Sequence, residues 1–199
     1  MYFTIILPVY KRPDTVLSAI QSVLAQECQD WQLIVIDDGH TVWDTLRFYA
    51  DDRITYIDST HHGVAKARNL AAKYAKGTYI TFLDSDDLYR PDHLSTHKQY
   101  LEQNKLDVLW GGVKVVGDST LPDIEHPGQQ INVEECKLSG TLFVKTALFN
   151  KIGGFPDVPY AEDYHLFQTL KQHGTVGRFP LPTYVYIRSE DSITKNYKE

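Results

Sequence analysis

The sequence predicts an α/β fold, a mostly parallel central sheet flanked by helices. Three observations predict it. Strand-length apolar runs and helix-length amphipathic segments alternate over the first eighty or so residues. Phe3 to Val9, Gln32 to Ile36 and Tyr79 to Leu83 are almost continuously apolar, which suits strands covered on both faces. Each run then stops abruptly in polar residues, at Tyr10 to Arg12, at Asp37-Asp38 and at Asp84 to Asp87. In open α/β sheets the carboxyl ends of the strands form the ligand-binding edge.

The elements follow in order. Phe3 to Val9 leads through Pro8-Val9-Tyr10-Lys11-Arg12-Pro13 into a helix opened by Pro13 and Asp14. Val16, Ile20, Val23 and Leu24 give that helix one apolar face. The strand Gln32 to Ile36 ends in Asp37-Asp38-Gly39, and a helix from Val42 to Ala50 and a short strand from Arg53 to Ile57 are expected next. Gly63 precedes a helix from Val64 to Lys76 whose Ala67, Leu70, Ala71, Tyr74 and Ala75 share a face, with Arg68 on its edge and Gly77 as its stop. After the acidic loop the pattern predicts a helix from Pro91 to Asn104, a strand from Asp107 to Val116 and a polar substrate-side loop from Gly117 to Glu135. A strand from Leu138 to Val144, a short helix from Thr146 to Ile152 closed by Gly153-Gly154, a helix from Ala161 to His173 and a strand from Thr183 to Arg188 complete it, before a polar tail.

Bulk properties narrow the function. At 199 residues the chain reads as one domain. Cys28 and Cys136 make neither a disulfide framework nor a zinc spacing, so a reducing compartment is expected. No apolar run approaches the ~18 residues of a membrane span, and MYFTIILPVYKRP lacks the basic start of a signal peptide. A net charge of −6 argues against nucleic acid as a partner.

The chemistry concentrates in YITFLDSDDL, Tyr79 to Leu88. Asp84, Asp86 and Asp87 repel one another, and a hard divalent cation, Mn²⁺ or Mg²⁺, is the usual partner of such a cluster; a polar turn after a strand is the alternative. Tyr10 can pack on a base, and Asp37 or Asp38 can accept from a base N–H or a ribose hydroxyl. Arg68 can neutralise a pyrophosphate or pair with one of these aspartates. At the start of the helix carrying Leu166, Phe167 and Leu170, the angular count puts Asp163 near the middle of the inward face and Glu162 on its flank. The helix dipole accounts for Glu162. An inward Asp163 costs solvation, which a general base would justify. Setting Asp37, Asp38, Asp84, Asp86, Asp87, Glu162 and Asp163 apart from the 26 acids leaves 19 against 20 Lys and Arg. The acidity of the chain can therefore be assigned to one cleft. His61 and His62 read as exposed loop histidines, and Trp110, among Trp31, Trp43 and Trp110, as the best sugar platform.

Six segments in order, PVYKRP, VIDDG, GVAKARN, YITFLDSDD with YRPDHL, GTLFVKTALFNKIGGF and AEDYHLFQTL, together resemble the inverting family 2 glycosyltransferases of the GT-A fold. The resemblance implies one glycosyltransferase domain, with residues 1–90 as donor half, 91–188 as acceptor half and 189–199 as tail or lid. It implies Pro8, Val9, Tyr10, Arg12, Asp37, Asp38, Arg68, Asp84 and Ser85 around a nucleotide-diphospho-sugar, UDP by preference, and Asp84 and Asp86 on Mn²⁺ or Mg²⁺. Asp163 would take the proton of an acceptor hydroxyl on a glycan or a lipid-linked saccharide. It further implies a cytoplasmic protein, at the inner face of the membrane where the acceptor is lipid-linked. Two departures stand out. His40-Thr41-Val42-Trp43 replaces the Ser-Thr-Asp-Gly-type loop, and Ser189 stands where many members carry a lid histidine, with Arg188 beside it as a diphosphate contact. Rival readings fit less well. A haloacid dehalogenase-type phosphohydrolase carries its Asp-x-Asp on the first strand, a nucleotidyltransferase needs a Gly-rich phosphate loop, and nothing favours a non-catalytic binding module.

Overall fold

In the computed structural model, residues 1–40, 42, 46, 51–126 and 128–188 are described. A seven-stranded sheet forms the centre. Its first strands are β1 (Phe3–Val9), β2 (Trp31–Asp38), β3 (Ile54–Ser59) and β4 (Tyr79–Phe82), all mutually parallel in the order β4-β1-β2-β3. The acidic loop then runs into the short β5 (Leu88–Tyr89). Beyond it come β6 (Val108–Trp110), β7 (Val113–Val116) and the hairpin of β8 (Thr120–Pro122) and β9 (Gln130–Asn132). The chain ends with β10 (Phe143–Lys145), β11 (Val176–Arg178) and β12 (Tyr184–Ile187). β10 lies antiparallel between β4 and β6, and β11 pairs parallel to β6 at the edge. The mostly parallel sheet expected from the sequence is thus present, with β10 the one reversed strand of the seven.

Alternation along the strands sends side chains to two cores. Phe3, Ile5, Leu7 and Val9 of β1 pack with α1 (Pro13–Leu24), whereas Ile6 joins Ile34, Ile36 and Phe82 under α2 (Val64–Ala72). The other helices are α3 (His93–Asn104), α4 (Thr146–Ile152) and α5 (Glu162–His173). Phe149 and Leu166 place α4 and α5 on the α2 side, and Leu94 and Leu101 place α3 on the α1 side. Register puts Val9 beside Asp37 and Asp37 beside Asp58, so the polar strand ends share one edge.

Several boundaries differ from expectation, each for a physical reason. The strand expected over Asp107 to Val116 is two strands, because Gly111 and Gly112 take φ of +100° and +79° and hand the chain from the large sheet to a small one, β5-β12-β7. The helix expected to reach Lys76 stops at Ala72, where Lys73, Tyr74 and Ala75 switch to i→i−3 bonds. Gly77 is not its cap. A Cβ there would lie 2.5 Å from the Phe3 carbonyl carbon, so glycine is required where the chain crosses β1. The polar loop over Gly117 to Glu135 contains the β8–β9 hairpin, and the strand expected from Leu138 begins only at Phe143, after a 3₁₀ turn at Ser139–Thr141. Apart from Val42 and Leu46, the helix expected over Val42 to Ala50 lies outside the described residues, as do Trp43 and the tail.

Candidate functional site

Arg68 organises the strand edge. It stands on α2 with its side chain only 4% exposed, and its Nη2 donates to Asp84 Oδ1 at 2.5 Å while its Nη1 donates to Glu162 Oε1 at 2.9 Å. The end of β4 and the start of α5 are therefore tied through one guanidinium. Burial works against its charge, but Asp84 and Glu162, with Asp163 behind them, more than offset this and raise its pKa. The fork of a guanidinium can meet two carboxylates at once, which an ammonium cannot do with the same geometry.

The three loop carboxylates separate into three attachments. Asp84 takes Arg68. Asp86 Oδ2 accepts from Arg12 Nη1 at 2.8 Å. Its pKa is raised, first by burial and then by repulsion from Asp84, against the opposing pull of Arg12. Asp87 had no role in the sequence reading. It is buried and accepts Tyr184 Oη–H at 2.5 Å and Ile187 N–H at 2.7 Å, so it pins β12 to the loop. Burial and the neighbouring Asp84 hold its pKa well above the usual carboxylate range.

Asp163 lies half-buried on the first turn of α5, as the angular count expected. Its Oδ2 accepts the Ser139 N–H at 3.3 Å and its Oδ1 accepts the Tyr164 N–H at 2.8 Å. Burial, then the adjacent Glu162, push its pKa up to about 7, with Arg68 pulling the other way. A carboxylate titrating near neutrality is suited to take a proton and release it. Ala161, just before it, holds φ of +53°, as Lys11 does at +52° beside Tyr10. Non-glycine residues in this region are uncommon and cluster at functional sites.

The proposed base contacts are arranged differently from expectation. Asp37 is completely buried, and its Oδ2 accepts the Val42 N–H and the Tyr56 hydroxyl, each at 2.8 Å. It braces the end of β2 and is not an open acceptor for a base. Asp38, 3% exposed, accepts the His62 and Gly63 N–H groups, both at 2.9 Å, and His61 Nδ1–H at 3.0 Å. The Tyr10 ring is stacked on His61, centroids 4.1 Å apart and planes 14° from parallel. Pro8, Val9 and Ser85 are buried, so Pro8 and Val9 can shape the edge only from beneath it.

Trp110 is not an open sugar platform. The Lys137 ammonium lies 4.1 Å from its ring centre, the Arg178 guanidinium 5.0 Å, and Phe167 meets it edge-on. The Arg188 side chain is 5% exposed, with its Nη1 3.8 Å from Asp118 Oδ2 and no hydrogen-bond partner on Nε or Nη1; the position of the absent lid histidine, Ser189, lies outside the described residues. Neither Glu162 as a partner of Arg68 nor Tyr184 as a partner of Asp87 was legible in the sequence. The first was visible only as a first-turn acid, and the second lies 97 positions away.

Asp84 and Asp86 fit a divalent cation. Both offer hard oxygen donors, and each has an arginine on only one oxygen. Among the described residues no cluster of three or more ligating side chains forms.

Comparison with known proteins first defines the fold. S. aureus TarS 1-349 in complex with UDP-GlcNAc aligns with the whole chain at a TM-score of 0.79 and 21% identity, and the chain covers 62% of it. The mannosyltransferase PcManGT from Pyrobaculum calidifontis, in complex with GDP-Man and Mn²⁺, covers 95% of the chain at a TM-score of 0.74 and 18% identity, and the chain covers 57% of it. The architecture is that of the GT-A glycosyltransferases. The sequence then places the chain more closely. The glycosyl transferase family 2 model matches residues 4–154, and the chain belongs to that family. Two Escherichia coli relatives, the UDP-Glc:alpha-D-GlcNAc-diphosphoundecaprenol beta-1,3-glucosyltransferases WfgD and WfaP, are 30% and 27% identical over 87% and 98% of this chain, and over 71% and 81% of their own lengths.

Proposed function

We propose that this chain transfers a sugar from a UDP-sugar to a hydroxyl of a lipid-linked saccharide, with inversion at the anomeric carbon. The names of the two Escherichia coli relatives support the donor and the acceptor class. The observation that carries the chemistry is Asp163, raised toward neutrality and tied by its neighbour Glu162 and by Arg68 to the acidic strand end. Asp163 accepts the proton of the acceptor hydroxyl as that oxygen bonds to the anomeric carbon, and the bond from that carbon to the diphosphate breaks, releasing UDP. Arg68 holds Asp84 in place and supplies positive charge beside the leaving group. A divalent cation on Asp84 and Asp86 would neutralise the departing diphosphate. Arg12 holds Asp86 at the cleft. No helix among the described residues is long and apolar enough to cross a membrane.

The test is Asp163→Asn, which keeps shape and removes the base. UDP release from UDP-glucose is measured with a synthetic GlcNAc-diphospho-lipid as acceptor. Transfer should fall by roughly 10²- to 10⁴-fold while UDP binding is unchanged. Since only the ionised carboxylate accepts a proton, wild-type transfer should decline as pH drops through about 7. Transfer that survives in the variant removes Asp163 from the mechanism.

A further inference from the structure

Two of the residues expected to meet a nucleobase are both spent on one side chain. The Tyr10 ring, at the end of β1, lies flat against the His61 imidazole at 4.1 Å, and the Asp38 carboxylate, at the end of β2, accepts from His61 Nδ1 at 3.0 Å. A further contact, 3.2 Å, runs from the same nitrogen to the Asp38 carbonyl oxygen. The loop beneath is held as well, since Asp38 also takes the His62 and Gly63 N–H groups, and Gly63 supplies the φ of +89° that turns the chain into α2. His61 is nonetheless 54% exposed. An exposed loop side chain fixed by a stack, a hydrogen bond and a braced backbone is preorganised.

We propose that His61 is the stacking platform for the donor nucleobase, and that Tyr10 and Asp38 act through it by fixing its plane and tautomer. This rests on the donor reading above and deepens it. With Nδ1–H directed at Asp38, the neutral ring keeps Nε2 as an acceptor at its outer edge. The ring face away from Tyr10 extends the stack by one aromatic layer, and no ring of the described residues stacks on it. Base-on-aromatic stacking tolerates any base, so the platform supplies affinity, and discrimination among bases falls to groups at the base edge.

The experiment measures binding of UDP, GDP, dTDP and inorganic pyrophosphate, each with Mn²⁺, by calorimetry to the whole chain. His61→Ala should weaken the best-bound nucleoside diphosphate about tenfold or more and leave pyrophosphate unchanged. His61→Phe, which keeps a flat ring, should restore most of the loss. Equal melting temperatures of the two variants exclude a folding effect. Nucleotide binding by His61→Ala at or above the wild-type affinity overturns the proposal, the second case meaning that the imidazole is a plug which the base displaces from Tyr10. Wild-type protein that binds no nucleoside diphosphate better than pyrophosphate overturns it too. Failure to bind even pyrophosphate is a different result, because it refutes the donor reading itself.

Discussion

Replacing Arg68 by Met keeps the volume of the stem and deletes the charge that joins α2, β4 and α5. Asp84 and Glu162 then face each other across the gap left by a side chain only 4% exposed, with Asp163 next in line. Removing one partner of a buried ionic network costs about 3–5 kcal/mol. Asp84 and Glu162 are 34% and 21% exposed and can partly rehydrate, which favours the lower end of that range. In a chain of this length each kcal/mol lowers the melting temperature by about 2–4 °C, so a fall of roughly 6–12 °C is expected. Thermal unfolding at neutral pH, followed by circular dichroism without nucleotide or metal, gives the number. Two companions sharpen it. Arg68→Lys should fall between wild type and Met, because one ammonium cannot serve both carboxylates with fork geometry. Glu162→Gln in the Met background should recover part of the loss, because it removes one of the unpaired charges. If Arg68→Met melts within about 2 °C of wild type, the clamp argument is wrong and the arginine is held for the donor alone.

Two further outcomes follow from the site and the core. UDP with Mn²⁺ should raise the melting temperature of the wild type and not that of Asp86→Ala, and an undiminished rise in the variant removes Asp86 from the metal site. His93 and His97 are completely buried and stack among Tyr89, Phe143 and Phe179; burial holds the pKa of His93 well below its ordinary value and that of His97 down to about 3. The unfolded chain binds their protons near the ordinary value of about 6.5 and the native chain does not, so stability falls as pH drops below about 6.5, for His97 by about 2 kcal/mol at about pH 5. Urea unfolding across that interval should show a shallower loss in His97→Phe; equal losses in the two proteins would exclude the histidine as the cause.

The sheet was legible because burial on both faces leaves a direct imprint, a run with no polar alternation. β1, β2 and β4 were read nearly to the residue on that ground, and Asp163 was placed by the same angular logic that marks Leu166 and Leu170 as core. What was not legible is who holds whom. Asp37 and Asp38 are adjacent and alike in sequence, yet strand alternation turns them to opposite sides, one to Val42 and Tyr56 and the other to the His61–Gly63 turn. Trp110 looked free because Lys137 and Arg178, which lie against its ring, approach from distant segments. Gly77 looked like a helix stop because its true constraint, the backbone of Phe3 and Thr4, lies more than seventy positions away. Except for the Asp37 contact with Val42, five positions on, each error concerns a long-range contact that no local pattern records.

The acidic loop shows how a repulsive cluster can be stable before any ligand arrives. Its carboxylates do not share one partner. Asp84 is neutralised through α2 and linked to α5, Asp86 through the β1–α1 turn, and Asp87 is satisfied by two uncharged donors from β12 and the small sheet. Three separate pieces of the fold thus converge on four residues, and the loop geometry is fixed by all of them together. Around it, two arginines stand against the four carboxylates Asp84, Asp86, Glu162 and Asp163. With all four ionised, two negative charges remain unbalanced, and proton uptake by Asp163 near neutrality is the protein's own way of relieving one of them. A dication on its own would cancel both and draw the Asp163 pKa down, whereas the diphosphate of a UDP-sugar brings two negative charges back, so it is metal binding and not the whole donor that favours the ionised base. The pH midpoint of the Asp163 carboxyl, followed by carboxyl-carbon NMR, should therefore move downward when Mg²⁺ is added without donor. A midpoint that stays fixed would separate the base from the metal site electrostatically and break the coupling argued here.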